Sequence, residues 1–191
     1  AAAGISRQVI NAALGGVTFN KSIIKKDRTQ IIFSDDWLTF SGKLISAGRL
    51  KKGAAKLKSN ARMFNSIKGR YGVPGEVVTA FWALETDFGG FLGNDSTIRS
   101  LATLAYDCRR PEKFHKELIA ALKLLQKGDL RLGEMKGAWA GELGQLQFLP
   151  SYYDSHAVDF DGDGRRNMVK SSADALASAA NYMKYLGWQK G

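Results

Sequence analysis

The chain has 191 residues and a net charge of +10, with 28 Lys and Arg against 18 Asp and Glu, 45% hydrophobic residues and 24% charged ones. This length and composition suit one globular domain with a sizeable core, and no apolar run reaches the roughly 18 residues that a spanning helix needs. The single cysteine, Cys108, excludes an intramolecular disulfide.

The charge is unevenly placed. Residues 1–70 hold 14 Lys and Arg against 3 Asp, a surplus of 11, whereas residues 71–191 hold 14 against 15 Asp and Glu. The densest run is Arg49 to Arg70, with Lys51, Lys52, Lys56, Lys58, Arg62 and Lys68. A solvated helix face accounts for any single lysine. The collective surplus suits an extended anionic partner: nucleic acid, an acidic wall polymer or a membrane surface. No zinc-ligand spacing and no aromatic RNP-like strand support nucleic acid. The sequence opens at Ala1 without an initiator Met, a basic n-region or a cleavage signal. We therefore expect a mature or excised fragment whose signal or lipid anchor has been removed.

In chain order, ISRQVINAAL at residues 5–14 predicts a short amphipathic helix ended by Gly15 and Gly16. Residues 17–34 read as irregular. Asp35 and Asp36 predict the cap of a helix with Trp37, Leu38 and Phe40. Leu50, Ala54, Leu57, Ala61, Phe64 and Ile67 predict one helix from about Ala47 to Tyr71. Pro74 then opens a helix whose φ it sets in advance, and Gly89 and Gly90 end it. FLGNDST at 91–97 is a loop by composition, and Ser96 or Thr97 caps the helix IRSLATLAYD. Pro111 starts a helix through Gln126, followed by a loop from Lys127 to Gly137. WAGELGQLQFLP reads as a turn and a short helix stopped by Pro150. After a polar loop at 159–170, Ser171 or Ser172 caps the helix ADALASAANYMKYL, closed by Gly187.

Three stretches carry chemistry. In VPGEVVTAFWALETDFGG, Val77, Val78, Phe81, Trp82 and Leu84 recur at helical spacing and Glu85 falls on their stripe. A carboxyl among apolar groups holds its proton to unusually high pH, as a general acid near neutrality requires; the alternative is a wet Glu85 at a helix end. Asp159, Asp161 and Asp163, with Gly164 at position 6 and the Arg165 carbonyl at position 7, match a calcium loop of the EF-hand type. Position 12 is Lys170 instead of the usual Glu, so Asp174 is the expected closing ligand, with Asn167 acting through water. A solvated acidic turn is the alternative. Finally, Gly141, Gly144, Gln147 and Phe148 suit sugar binding through an amide and a stacking ring, or simply form a structural turn.

Together YGVPGEVVTAFWALETDFGG, TIRSLATLAYDCRRPEKF, GAWAGELGQLQFLPSYYDSHAVDFDGDGRRN and SADALASAANYMKYLGW resemble the lytic murein transglycosylase B family, in that family's order, over at least Tyr71 to Trp188. The resemblance implies a mainly α (α+β) lysozyme-like fold with a small β element. Charge and helix pattern set off a basic helical N-terminal lobe at 1–70, and the expected lysozyme-like catalytic core at 71–191, with the calcium loop at 159–174, completes one compact unit. The resemblance also implies cleavage, without water, of the bond between N-acetylmuramic acid and N-acetylglucosamine. Glu85 is then the single acid/base, and Gln147, Phe148, Arg109, Arg110 and Tyr106 are substrate contacts. Implied too are a structural calcium ion, peptidoglycan strands as partner, a monomer, and a periplasmic or outer-membrane-associated location. Ala138 stands where some members have Ser, and Glu142, where many have Ala, is a rival carboxylate. A hydrolytic muramidase and a non-catalytic wall-binding module are the competing readings.

Overall fold

Ten α-helices, one turn of 3-10 helix (Leu132–Glu134) and one short antiparallel ribbon account for the regular structure of the described residues, which are 3–29 and 36–190 of a computed structural model. In the N-terminal part these are α1 (Arg7–Leu14), α2 (Lys21–Arg28), α3 (Trp37–Leu44), α4 (Ala47–Ser59) and α5 (Ala61–Tyr71). There follow α6 (Gly75–Thr86), β1 (Asp95–Ser96), α7 (Thr97–Tyr106), α8 (Pro111–Lys127), β2 (Lys136–Gly137), α9 (Pro150–His156) and α10 (Ser172–Tyr185). The mainly helical expectation with a small β element holds. No helix of the described residues is long and apolar enough to cross a membrane.

The apolar stripes of these helices, α3 excepted, meet in one buried cluster. It runs from Ile5, Ala13 and Ile23 through Phe64, Ile67, Val78, Leu101 and Leu124 to Leu143, Met168 and the Ala175–Ala177 turn of α10. Each fully buried large apolar side chain contributes about 1.5–3 kcal/mol relative to exposure. The α7 and α8 helices form the most extensive pair, α5 and α10 pack together, and α4 lies against α6.

Capping follows the sequence closely. Asp36 accepts from the N–H groups of Leu38 and Thr39, Ser96 from that of Arg99, and Ser171 from that of Asp174. Asp35 lies outside the described residues. Three expectations need correction. The helix expected over 47–71 is two, broken at Asn60, whose side-chain amide donates to the Lys56 carbonyl (3.0 Å) and competes with the backbone ladder. Both halves face the same core, so the apolar periodicity runs through the break. Within the stretch read as irregular, α2 forms because Asn20 caps it and Ile23 is 1% exposed. Pro150 starts α9 instead of stopping a helix before it; a proline at the first helical position loses no hydrogen bond.

The loop expectation at 127–137 is also partly replaced. β1 pairs antiparallel with β2, Asp95 opposite Gly137 and Ser96 opposite Lys136. The chain then doubles back, Gly137 bridging to Leu143 and Leu143 to Phe148. This fold-back needs glycine at 137, because a Cβ there would stand 1.9 Å from the Glu142 carbonyl oxygen.

Candidate active site

The last turn of α6 sets the position of Glu85. The buried face of this helix is Gly75, Val78, Thr79, Trp82, Ala83 and Thr86. Phe81 and Leu84 are 46% and 47% exposed, and Glu85 is exposed with them, on the edge of the buried face. The expectation that Glu85 is sunk in an apolar stripe is corrected to that extent. Its carboxyl is open to solvent on one side and crowded by groove walls on the other. Burial pushes its pKa above the ordinary glutamate range, and Glu142 adds to the shift.

The helix end is bolted in place. The Trp82 indole donates to Gln145 Oε1 at 3.0 Å, and the Thr86 hydroxyl donates to the Gln145 carbonyl at 2.7 Å. Immediately after Glu85 the backbone enters the left-handed region at two residues other than glycine, Asp87 (φ 49°) and Phe88 (φ 64°). Such strain persists only when neighbours over-determine it. Here Lys52 donates to the Asp87 carboxylate at 2.8 Å and lies 5.0 Å from the centre of the Phe88 ring, which meets Trp82 edge-on at 5.6 Å. Asp87 therefore points to α4, where Lys52 and Arg49 are its ion-pair partners.

Two chambers flank Glu85 and share Glu85, Glu142, Gln147 and Leu149 as a common wall. One, of about 400 Å³, is aromatic, lined by Phe81, Phe148, Tyr152 and Tyr182; Phe148 and Tyr182 meet at 5.4 Å. The other, of about 470 Å³, is polar, lined by Arg110, Lys113, Ala138 and Trp139. A carboxyl between a stacking wall and a basic wall is suited to protonating a link within a chain whose rings stack and whose substituents are acidic. A larger groove of about 800 Å³ lies between α8, α9 and the end of α10, but Glu85 does not line it. Volume alone therefore does not choose the site.

The expected contact residues divide. Gln147 is held in the left-handed region (φ 50°), and its amide nitrogen donates to the carbonyls of Leu92 (3.1 Å) and Gly144 (3.0 Å). Those bonds leave Oε1 as the acceptor for a ligand. Arg110 lines the polar chamber, whereas Arg109 does not. Both arginines are tied to Asp27 on α2; Arg109 Nη1 donates to it at 2.8 Å, and Arg110 is its second ion-pair partner. Burial alone would raise the pKa of Asp27, but the two guanidinium hydrogen bonds outweigh it and hold the group below the usual range. Asp27 escaped sequence reasoning; an acid inside the basic run KSIIKKDR was its only signal. Tyr106 is 84% exposed, meets Phe19 edge-on at 6.0 Å, and lines neither chamber.

The acidic loop forms a second cluster. Carboxylate oxygens of Asp159, Asp161 and Asp174 lie within 4.8 Å of one another. Asp163 is outside this set, its carboxylate accepting from the Arg165 N–H (2.8 Å). Asp174 is fully buried and accepts from the N–H groups of Phe160 (2.8 Å), Asp161 (3.3 Å) and Asn167 (2.8 Å). Lys170 turns out to Glu134 at 2.7 Å, which leaves Asp174 to close the loop. Arg165 also reaches Glu134 (2.9 Å). Burial would raise the pKa of Glu134, but the bonds from Lys170, the Arg131 N–H and Arg165 outweigh it and bring it to about 2. Three converging hard oxygens fit calcium chemistry.

A family model described as a transglycosylase SLT domain matches residues 1–191. The membrane-bound lytic murein transglycosylase B of Escherichia coli K12 is 35% identical over 156 residues, covering 81% of this chain and 43% of that protein. The crystal structure of SltB3 from Pseudomonas aeruginosa in complex with NAG-NAM-pentapeptide superposes with a TM-score of 0.95 at 43% identity, over 100% of this chain and 51% of that one. The Escherichia coli lytic transglycosylase Slt35 in complex with calcium gives a TM-score of 0.87 at 32% identity, over 98% of this chain and 60% of that one. The chain thus spans about half the length of the relatives it matches.

Proposed function

The chain belongs to the transglycosylase SLT domain family, and from that premise we propose that it is a peptidoglycan lytic transglycosylase with Glu85 as its single acid/base. The glycan strand lies across the two chambers, with sugar rings against Phe148 and Tyr182 and acidic substituents toward Arg110. The Glu85 carboxyl gives its proton to the glycosidic oxygen as the bond from C1 of N-acetylmuramic acid breaks. The N-acetyl group of the same sugar stabilises C1. The Glu85 carboxylate then takes the proton of the C6 hydroxyl as that oxygen attacks C1, closing a 1,6-anhydro ring. Glu85 ends protonated, and no water is consumed. This sequence of steps needs one carboxyl that is protonated at rest, unlike ordinary glycosidases with two. The raised pKa of Glu85 at the junction of the chambers is the observation that carries the reading.

The deciding experiment is mass spectrometry of murein sacculi digested by the protein. Anhydromuramic ends are expected. Reducing ends would identify a hydrolase instead, and no release would identify a binding module. The setting that fits this substrate is periplasmic.

The residues of the acidic loop fit calcium, and we assign Asp159, Asp161 and Asp174 as its carboxylate ligands, with Asp163 and the Arg165 carbonyl available in the same loop. Bound there, the ion neutralises carboxylates that otherwise repel one another, and takes no part in the reaction. A ligand of the folded state adds about 2.7 kcal/mol at 100 times its dissociation constant. The melting temperature is therefore expected to rise with millimolar calcium and fall with chelator. Magnesium should act more weakly, because it holds its waters and demands octahedral geometry. A melting curve indifferent to calcium would remove the assignment.

A further inference from the structure

Gln145 lines neither chamber, yet its contacts meet on both sides of Glu85. It is 5% exposed and stands in the fold-back, two residues before Gln147. Its side-chain Oε1 accepts from two donors, the Trp82 indole N–H and the Ser172 hydroxyl, both at 3.0 Å. Its Nε2 donates to the Val169 carbonyl at 3.3 Å, and its backbone N–H to the Met168 carbonyl at 2.9 Å. Its own carbonyl accepts from the Thr86 hydroxyl (2.7 Å), which in turn accepts from the Gly89 N–H (3.0 Å). The turn after α6 is pressed onto the same amide: a Cβ on Gly89 would stand 2.9 Å from Oε1. One residue thus joins the end of α6 to the end of the acidic loop and the first residue of α10. Buried amides hold folds weakly: each satisfied bond contributes about 0.5–1.5 kcal/mol net, and apolar groups of the same shape do nearly as well. What directional bonds supply is a unique arrangement. The arrangement fixed here is that of Glu85, whose side chain no hydrogen bond holds among the described residues. Its position depends on the backbone of α6, and Gln145 acts on that backbone through Trp82, Thr86 and Gly89, which lie three before, one after and four after it.

We propose that Gln145 is a positioning residue that acts through Glu85, clamping the last turn of α6 so that the carboxyl meets the glycosidic oxygen of a strand bound against Gln147 and Phe148. The inference rests on Glu85 being the acid/base. The two binding residues are held without this amide. Gln147 is held by the Leu92 and Gly144 carbonyls, and Phe148 by its backbone pair with Leu143, at 2.8 and 2.9 Å. Loss of the Gln145 amide therefore frees the acid against a substrate that stays in place. A displacement of about 1 Å at a reacting group costs on the order of a hundredfold in rate.

The test uses Gln145→Met, which keeps the length of the side chain and removes its hydrogen bonds. Ser172→Ala removes one donor to Oε1 from outside both chambers, and carries the test if the methionine variant fails to fold. Release of glycan from sacculi is followed well below each melting temperature, so that folded protein is compared with folded protein. In Gln145→Met, kcat is expected to fall by about 10–100-fold, with KM within about twofold of wild type. Ser172→Ala should lower the same parameter by less. A merely structural role lowers the melting temperature and leaves the kcat of the folded protein in place, and that result overturns the proposal. So does a loss carried by KM, which would make Gln145 a support for the substrate-binding residues instead. Wild-type protein that releases no glycan product overturns the reaction itself. Active wild type with kcat kept in the variant overturns the role of Gln145 alone.

Discussion

Glu85→Gln is expected to lower the rate of glycan cleavage by about 10²–10⁴ at every pH. The amide has the size of the carboxyl but neither gives a proton to a leaving oxygen nor takes one from the C6 hydroxyl. Glu85 lies on the exposed edge of α6 and makes no hydrogen bond to the described residues, so its loss should leave the melting temperature within about a degree. The aromatic and basic walls remain, so retention on sacculi should remain too. Single-turnover digestion at saturating protein separates a lost chemical step from weakened binding. An active Glu85→Gln beside an inactive Glu142→Gln would transfer the acid/base role to the second carboxylate.

Asp174→Ala is expected to give the largest loss of stability of any single change in the acidic loop. The side chain is fully buried and accepts three backbone N–H groups, from Phe160, Asp161 and Asn167. Alanine leaves those donors without partners, at about 1–3 kcal/mol each. A total of about 3 kcal/mol or more is a large part of the 5–15 kcal/mol that holds an ordinary domain together. At roughly 2–4 °C per kcal/mol for a domain of this size, the melting temperature should fall by about 6–12 °C. Calcium should no longer raise it. Asp174→Asn keeps one acceptor but turns an amide donor toward a backbone donor, so it should fall between the two. Thermal melts with and without calcium decide the matter, and an Asp174→Ala protein as stable as wild type would show that water or the cation alone holds the loop.

The parts of this fold that rest on local chemistry are legible in the sequence. Pro111 announces a helix start because its fixed φ and missing N–H suit a first helical position, and Ser96, Ser171 and Asp36 do so because the N–H groups they satisfy lie within three residues. Periodicity places α8 and α10 for the same reason. What escaped is set by distant partners. The break at Asn60 is invisible to a periodicity that both of its helices share. The α2 helix has too little apolar surface to declare itself, and its Asp27 gains meaning only from Arg109 and Arg110, 82 and 83 positions away. The exposure of Phe81 and Leu84 could not be read either, because a stripe on α6 does not say which half of it the neighbours cover. Of the candidate site, Glu85, Gln147, Phe148 and Arg110 come together around two chambers as their motifs suggest. Tyr106 stays outside because the chain leaves α7 pointing toward Phe19.

The two ends of the chain are stitched to distant middles. The Ser6 N–H donates to Gln126 Oε1, which lies 120 positions later. The Trp188 indole donates to the Gly72 carbonyl at 3.2 Å, 116 positions earlier. The α10 helix, near the end of the described chain, packs against α5 and α6 and supplies core alanines that no earlier element replaces. Closing such long loops costs entropy before any contact rewards it. During synthesis, therefore, the helix that bears Glu85 is made long before α10, which packs against it, has emerged. Any interruption before residue 172 is expected to leave α5 and α6 with an apolar face that α10 no longer covers, and such a product is a substrate for aggregation and proteolysis.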